Sequence, residues 1–346
     1  MALDEAPPFW WRSPSWQAWL LSPLSLVYGR LAGKRMDFAP SASVPVPVLC
    51  VGNFIVGGAG KTPVVELLSG FVRARGLQPG VLTRGHGGAI TTPTVVKPQH
   101  HNAHDVGDEA LLHASHAITV VSADRPSGAA LLVEKGCEFI LMDDGFQNPS
   151  LAKDFNLVIV DSRRGLGNGF AMPSGPMRVP FRHQLIHTDA VMVAGNEQGA
   201  DTVIRQSSRA GKPVIQAVIA AKNKPGGKAY HAFAGIGDPS KFFDTLRELG
   251  TDLKDTIPFG DHHFFTDEEC IELIENAKAA KAGLITTSKD AARLREMGQE
   301  QKNLLSASEV LEIEIQIEDP NLIEAILDRA IDNATKRRLG KKKEIY

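Results

Sequence analysis

The chain has 346 residues, a length that suits one large domain or two ordinary ones. Its 43% hydrophobic and 23% charged residues are those of a globular protein, not of a disordered or fibrous one. A net charge of −2 says little about partners, since local distribution counts for more than the total, and no nucleic acid partner is expected. Cys50, Cys137 and Cys270 form no Cys-x-x-Cys pair, which fits a reducing compartment without a thiolate metal site.

The first element in the chain is aromatic and apolar. All four tryptophans, Trp10, Trp11, Trp16 and Trp19, precede residue 20. Trp16, Trp19, Leu20, Leu24, Val27 and Leu31 recur at helical spacing, and the only charges between residues 10 and 36 are Arg12, Arg30, Lys34 and Arg35. Residues 1–36 therefore read as an amphipathic segment that either lies in a membrane surface or packs on the protein's own core, with Pro23 as a point of bending. No run of eighteen apolar residues predicts a membrane span. Asp4 and Glu5, with no Ala-x-Ala-like site downstream, argue against a cleaved signal peptide.

From residue 46 onward, apolar runs alternate with helical patterns. Strands are predicted at 46–51, 80–83, 117–122, 137–142, 156–161, 190–194 and 213–220, with helices at 63–75, 108–116 and 125–135 between them. Near-continuous apolar strands suit a parallel sheet covered on both faces, so the fold class is α/β, doubly wound. The polar stretch 220–228 (AAKNKPGGK) is a hinge candidate that divides a phosphate-loop domain (37–222) from a smaller α/β domain (223–335). That second domain is expected to carry strands at 230–236, 284–288 and 311–317 and helices at 239–249 and 266–281. The basic stretch 336–346 reads as a solvated tail.

VLCVGNFIVGGAGKTPVVELL has the strand, glycine loop and helix of a nucleotide triphosphate site. Backbone N–H groups of Gly57, Gly58, Ala59 and Gly60 form the phosphate cradle. Lys61 offers a point charge for the β- and γ-phosphates of ATP, and the Thr62 hydroxyl is a ligand for Mg²⁺. Ile55 stands where the usual pattern has its first glycine. Asp143 and Asp144 end an apolar strand, where an acid holds the Mg²⁺ shell opposite the loop threonine. GDEALL puts Asp108 and Glu109 at a helix start, which capping alone would explain, and the pair His262 and His263 has no partner legible in sequence. His100, His101, His104 and Asp105 read as a solvated loop.

Taken together, VGNFIVGGAGKTPVV, TRGHGG, GDEALL, DDGFQ, SRRGLGNGFAMPSGPMRVP, FAGIGDPSKFF, FGDHHFF and TTSKDAARL resemble, in this order over residues 44–295, the tetraacyldisaccharide 4′-kinases. The resemblance implies transfer of the γ-phosphate of ATP, with Mg²⁺, to the 4′-hydroxyl of an acylated glucosamine disaccharide 1-phosphate in lipid A biosynthesis. It also implies a peripheral enzyme on the cytoplasmic face of the bacterial inner membrane. By the same resemblance Asp108 is the base paired with His262. Thr62, Asp143, Asp144 and Glu109 form the metal network, with Gln147, Arg125 and Arg178 in support. His86 and Asn148 depart from the family's common residues. A lipid substrate favours the membrane reading of the N-terminal segment, since each buried CH₂ contributes about 0.8 kcal/mol. No protein partner is expected. The alternative from another class is a phosphate-loop nucleotide switch or metal-delivery NTPase, which would share the glycine loop.

Overall fold

The computed structural model describes residues 6–58, 60–295 and 298–343. Strands β1 (Val48–Gly52), β2 (Pro79–Thr83), β3 (Thr94–Val95), β4 (Ile118–Val121), β5 (Phe139–Asp143), β6 (Phe155–Asp161), β7 (Ala190–Ala194) and β8 (Val214–Ala221) build most of one large sheet. Strands β9 (Tyr230–Ala234), β10 (Leu253–Pro258), β11 (Gly283–Thr287) and β12 (Ser308–Leu311) form a separate sheet of order β10-β9-β11-β12. The chain then returns, and β13 (Ile313–Ile317) joins the edge of the first, giving the nine-stranded order β13-β8-β7-β6-β1-β5-β2-β4-β3. All pairings in the large sheet are parallel except β13 on β8 and β3 on β4.

Period-two alternation builds the core. Val48 and Cys50 of β1 join one cluster with Ile140, Met142, Val158 and Val160, while Leu49 and Val51 join Leu141, Leu157 and Ile159 in another on the opposite face. Both faces are apolar because helices cover both. Each strand expected up to residue 221 forms within two residues of its expected place.

Three expectations are corrected. The second domain ends earlier than residue 335, because β13 pairs antiparallel with β8, Ile313 opposite Ala221. The basic stretch 336–343 is not a free tail, since the helix Asn321–Lys343 runs through it, and residues 344–346 of the expected tail lie outside the described residues. Ile323, Ile326, Leu327 and Ala330 of that helix are buried against the large sheet, and Arg337 grips buried Asp154 with two 2.8 Å hydrogen bonds. The histidine loop contains a short helix, Ala103–Val106, with a reciprocal Asn102–Asp105 cap, and His104 stacks on Phe264 at 3.7 Å. Strands β3, β10 and β12 had no legible apolar signal. Lys254 and Asp255 of β10 face solvent on a sheet edge, where charge is expected.

The N-terminal helix, Trp16–Phe38, continues through Pro23. Its buried residues are small: Ala18, Ser25, Gly29 and Gly33. The Ser25 hydroxyl donates to the Ala171 carbonyl at 2.7 Å. A Cβ on Gly29 would come within 2.9 Å of Pro180, so only glycine permits this close approach. The large residues point outward, with Trp16 72%, Leu20 70% and Leu31 65% exposed.

The two domains are joined twice, after β8 and before β13. These crossovers lie side by side: the Lys222 N–H donates to the Glu312 carbonyl at 2.8 Å, and the Glu312 N–H to the Asn223 side chain at 2.8 Å.

Candidate active site

β1 ends at Gly52, and the chain turns through residues 53–60 into the helix Lys61–Ala74. Gly57 and Gly60 adopt positive φ values of 100° and 79°, which bend the loop into a cradle at the helix N-terminus. The Asn53 side-chain amide ties the loop back on itself by donating to the Gly57 carbonyl at 2.9 Å. Gly58 has open space on its Cα, as a site that admits a ligand requires. Ala59, expected in the cradle, lies outside the described residues. Ile55, in place of the first glycine, is buried and bridges to Met177, so that position serves packing in this chain.

Lys61 is 7% exposed, its Nζ 3.6 Å from Asp144 Oδ1. Arg178 donates to both Asp144 oxygens, at 2.8 and 2.9 Å. Burial pushes the Asp144 carboxyl up, yet Lys61 and Arg178 hold it well below the usual range. Asp144 is thus occupied by cations. Glu109 is likewise engaged, its Oε1 2.7 Å from Lys289 Nζ. Neither is placed as a free metal ligand. Asp143 differs: it is fully buried, its Oδ2 lies 3.0 Å from His113 Nε2, and its Oδ1 has no partner among the described residues. No hydrogen bond engages the Thr62 hydroxyl among the described residues. A buried, unmatched carboxylate oxygen calls for a cation, and a hydroxyl with a carboxylate is an oxygen donor set of the kind Mg²⁺ takes. Of the expected metal network, Thr62 and Asp143 fit the ion.

Gln147 supports the loop by donating to the Asn53 carbonyl at 2.7 Å, and its Oε1 accepts from Arg178 at 3.3 Å. Arg125 is buried beneath Asp143, donating to its carbonyl at 3.5 Å.

Asp108 opens the helix Asp108–Ala114 and is 2% exposed. The bend before it needs Gly107 (φ 83°), where an added Cβ would sit 2.4 Å from the His86 carbonyl oxygen. The second domain reaches Asp108 with two groups: His262 Nδ1 at 3.2 Å and Arg293 Nε at 3.1 Å, both on Oδ2. Burial pushes the Asp108 carboxyl up, but the His262 hydrogen bond, Lys289 and Arg293 together hold it far below the usual range. Asp108 in turn raises His262 above its ordinary value, against the effect of burial. His262 sits at φ 57°, its N–H donating to the Gly235 carbonyl at 3.2 Å, and its ring meets the His86 ring edge-on at 5.3 Å.

Three functional groups were missed from sequence. Arg293 is 1% exposed, and its Nη1 also binds the His263 carbonyl (2.9 Å) and Asp290 (3.2 Å). Lys289 pairs with Glu109, so TTSKDAARL serves the two carboxylates of GDEALL. His113 orients Asp143; its signal was a lone histidine in the run EALLHA. Further ion pairs cross the boundary, Lys241 with Asp161 and Arg164 with Asp238 at 2.8 Å. Between the domains lies a cleft of about 970 Å³ whose walls include Gly58, Gly60, Thr62, Lys241 and Lys289. That volume suits a nucleotide-sized ligand.

A glycine cradle with a buried lysine at the helix start, opposite an acid that ends the neighbouring strand, on a mostly parallel sheet, places the chain among phosphate-loop kinases. More narrowly, it belongs to the Tetraacyldisaccharide-1-P 4′-kinase family, whose sequence model matches residues 17–332. It is 45% identical over 339 residues to the tetraacyldisaccharide 4′-kinase of Agrobacterium fabrum, covering 97% of each chain. With that of Rhizobium meliloti it shares 46% over 343 residues, covering 99% of each. The solved structure of LpxK from Aquifex aeolicus in complex with ATP superposes with a TM-score of 0.71 at 25% identity, covering 91% of this chain and 99% of that one.

Proposed function

We propose that this chain transfers the γ-phosphoryl group of ATP to the 4′-hydroxyl of a tetraacyl glucosamine disaccharide 1-phosphate, a step of lipid A biosynthesis. The observation that carries the mechanism is the contact between Asp108 and His262 across the domain boundary. The sugar oxygen attacks the γ-phosphorus, the bond from that phosphorus to the β–γ bridging oxygen breaks, and ADP leaves. The hydroxyl proton passes to the Asp108–His262 pair. The pair enters the step with His262 neutral and Asp108 ionised, so the incoming proton comes to rest on the imidazole, whose charged form Asp108 favours. Lys61 and the cradle N–H groups neutralise charge on the transferring phosphoryl. Mg²⁺, held by Thr62 and Asp143, supplies further neutralisation when bound.

We assign the outward stripe of the N-terminal helix to the membrane surface. Large residues outward and small residues inward invert the usual soluble pattern, and Arg30, Lys34 and Arg35 add attraction to anionic lipid. No helix among the described residues is long and apolar enough to cross a membrane, and we read the stripe as a peripheral contact. The use of ATP supports placing the enzyme on the cytoplasmic face of the inner membrane.

The deciding assay combines ATP, Mg²⁺ and the disaccharide 1-phosphate in detergent micelles and looks for a new phosphate on the distal sugar. Product with wild type and none with Asp108→Ala is expected. Steady ATP hydrolysis without product from wild type would instead support a nucleotide switch.

A further inference from the structure

Outside the kinase site, three side chains converge where the N-terminal helix ends. Asp37 Oδ1 lies 2.8 Å from His187 Nε2 and 3.2 Å from His183 Nε2. His183 Nε2 also faces the Gly33 carbonyl oxygen at 3.1 Å. The helix Phe181–Ile186 supplies His183, and His187 caps it, so the two rings stand four residues apart on one face. Their centroids are 5.4 Å apart, and one ligand atom from each of the three residues falls within 4.8 Å of the others. Gly33 makes this meeting possible, since a Cβ there would press on the His183 ring at 3.3 Å.

We propose that Asp37, His183 and His187 bind a divalent transition-metal ion of the zinc class, clipping the C-terminal end of the N-terminal helix to the kinase domain. The chemistry selects the ion. Two imidazole nitrogens and one carboxylate oxygen suit zinc, whereas Mg²⁺ and Ca²⁺ prefer oxygen ligands throughout. Metal–ligand bonds of about 2.0–2.1 Å at tetrahedral angles separate neighbouring ligand atoms by roughly 3.3 Å, close to the two spacings already made by Asp37. All three side chains are about one-third exposed, leaving an open side for ion entry and for water as fourth ligand. Binding moves each neutral ring's proton from Nε2 to Nδ1, and the Gly33 carbonyl exchanges its ring partner for solvent.

The test is zinc titration of metal-free, full-length protein against a chromophoric chelator, with Co²⁺ as a spectroscopic substitute. One zinc per chain and tetrahedral Co²⁺ bands in the visible are expected for wild type. The double variant His183→Ala/His187→Ala should lose both, and Asp37→Asn should bind roughly tenfold more weakly or worse. Because His183 packs on Gly33, the partly exposed His187→Gln serves as a second variant whose fold is checked by circular dichroism. Zinc should also raise the Tm of wild type and not that of His187→Gln. Absence of zinc uptake by wild type would overturn the proposal, as would uptake unchanged in the folded His187→Gln variant.

Discussion

The two domains contribute to the site in different ways. The first supplies the groups that the proposed mechanism assigns to the nucleotide phosphates and the metal: the cradle, Lys61, Thr62 and Asp143. The second supplies groups that meet the first domain's carboxylates: His262 and Arg293 on Asp108, and Lys289 on Glu109. One domain binds and the other sets charge and position. In the proposed mechanism the contact between them therefore assembles the base, which makes turnover depend on groups remote from the phosphate loop.

The largest effect should come from removing the group that both domains share. Asp108→Ala is expected to lower kcat by roughly 10³-fold or more while isothermal titration still shows ATP binding. Loss of binding with turnover intact would break the division of labour. Next, His262→Ala should cost roughly 10²-fold in kcat. It should also change the pH dependence of stability. A histidine whose folded pKa is raised contributes stability that is full below its unfolded value of about 6.5 and fades as pH rises through the folded value. The difference in unfolding free energy between wild type and His262→Ala should therefore shrink from acid to alkaline pH.

Arg293→Met sharpens the comparison, because it leaves both the cradle and the His262 contact in place. Asp108 then loses one of the cations that keep it ionised, so the acid limb of kcat/KM should move to higher pH. Stability at neutral pH should fall by roughly 3 kcal/mol for a buried partner removed. The sign follows from Asp108's lowered pKa: its contribution is present above the unfolded value near about 3.9 and is lost as pH falls through the folded value. An unmoved acid limb would reduce Arg293 to packing.

The smallest effects on chemistry should come from the two long helices. Arg337→Ala removes two charge-assisted hydrogen bonds to buried Asp154 and should cost roughly 2 kcal/mol of stability without altering kcat. Replacing Leu20 and Leu24 by Ser should leave micelle activity near wild type but weaken sedimentation with anionic vesicles. Unchanged vesicle binding would contradict the membrane assignment.

Much of the first domain was legible because its signals are local. A strand, a glycine loop and a Lys-Thr pair stand within fifteen residues, and Asp143 ends its own apolar run. The partners of those acids were not legible, since Asp108 and Arg293 are 185 residues apart and only the fold brings them together. Asp144 and Asp143 looked alike in sequence; Arg178, arriving from a distant loop, separates them by occupying one and leaving the other. The basic end of the last helix read as solvated because charge was weighed without its geometry. Arg337 proves to be an anchor, reached by extending a helix whose apolar stripe ends at Ala334. β13 continued the alternating rhythm, so nothing in its residues announced a return to the first sheet.

That return carries one more consequence. Since Ala221 and Ile313 lie opposite each other on neighbouring antiparallel strands, residues 222–312 amount to a cassette spliced into a hairpin of the larger fold. Excising the cassette and closing the gap with a short turn would disturb no strand order in the remaining sheet. The remnant would keep its nucleotide cradle and lack both side chains that the second domain sets on Asp108 Oδ2.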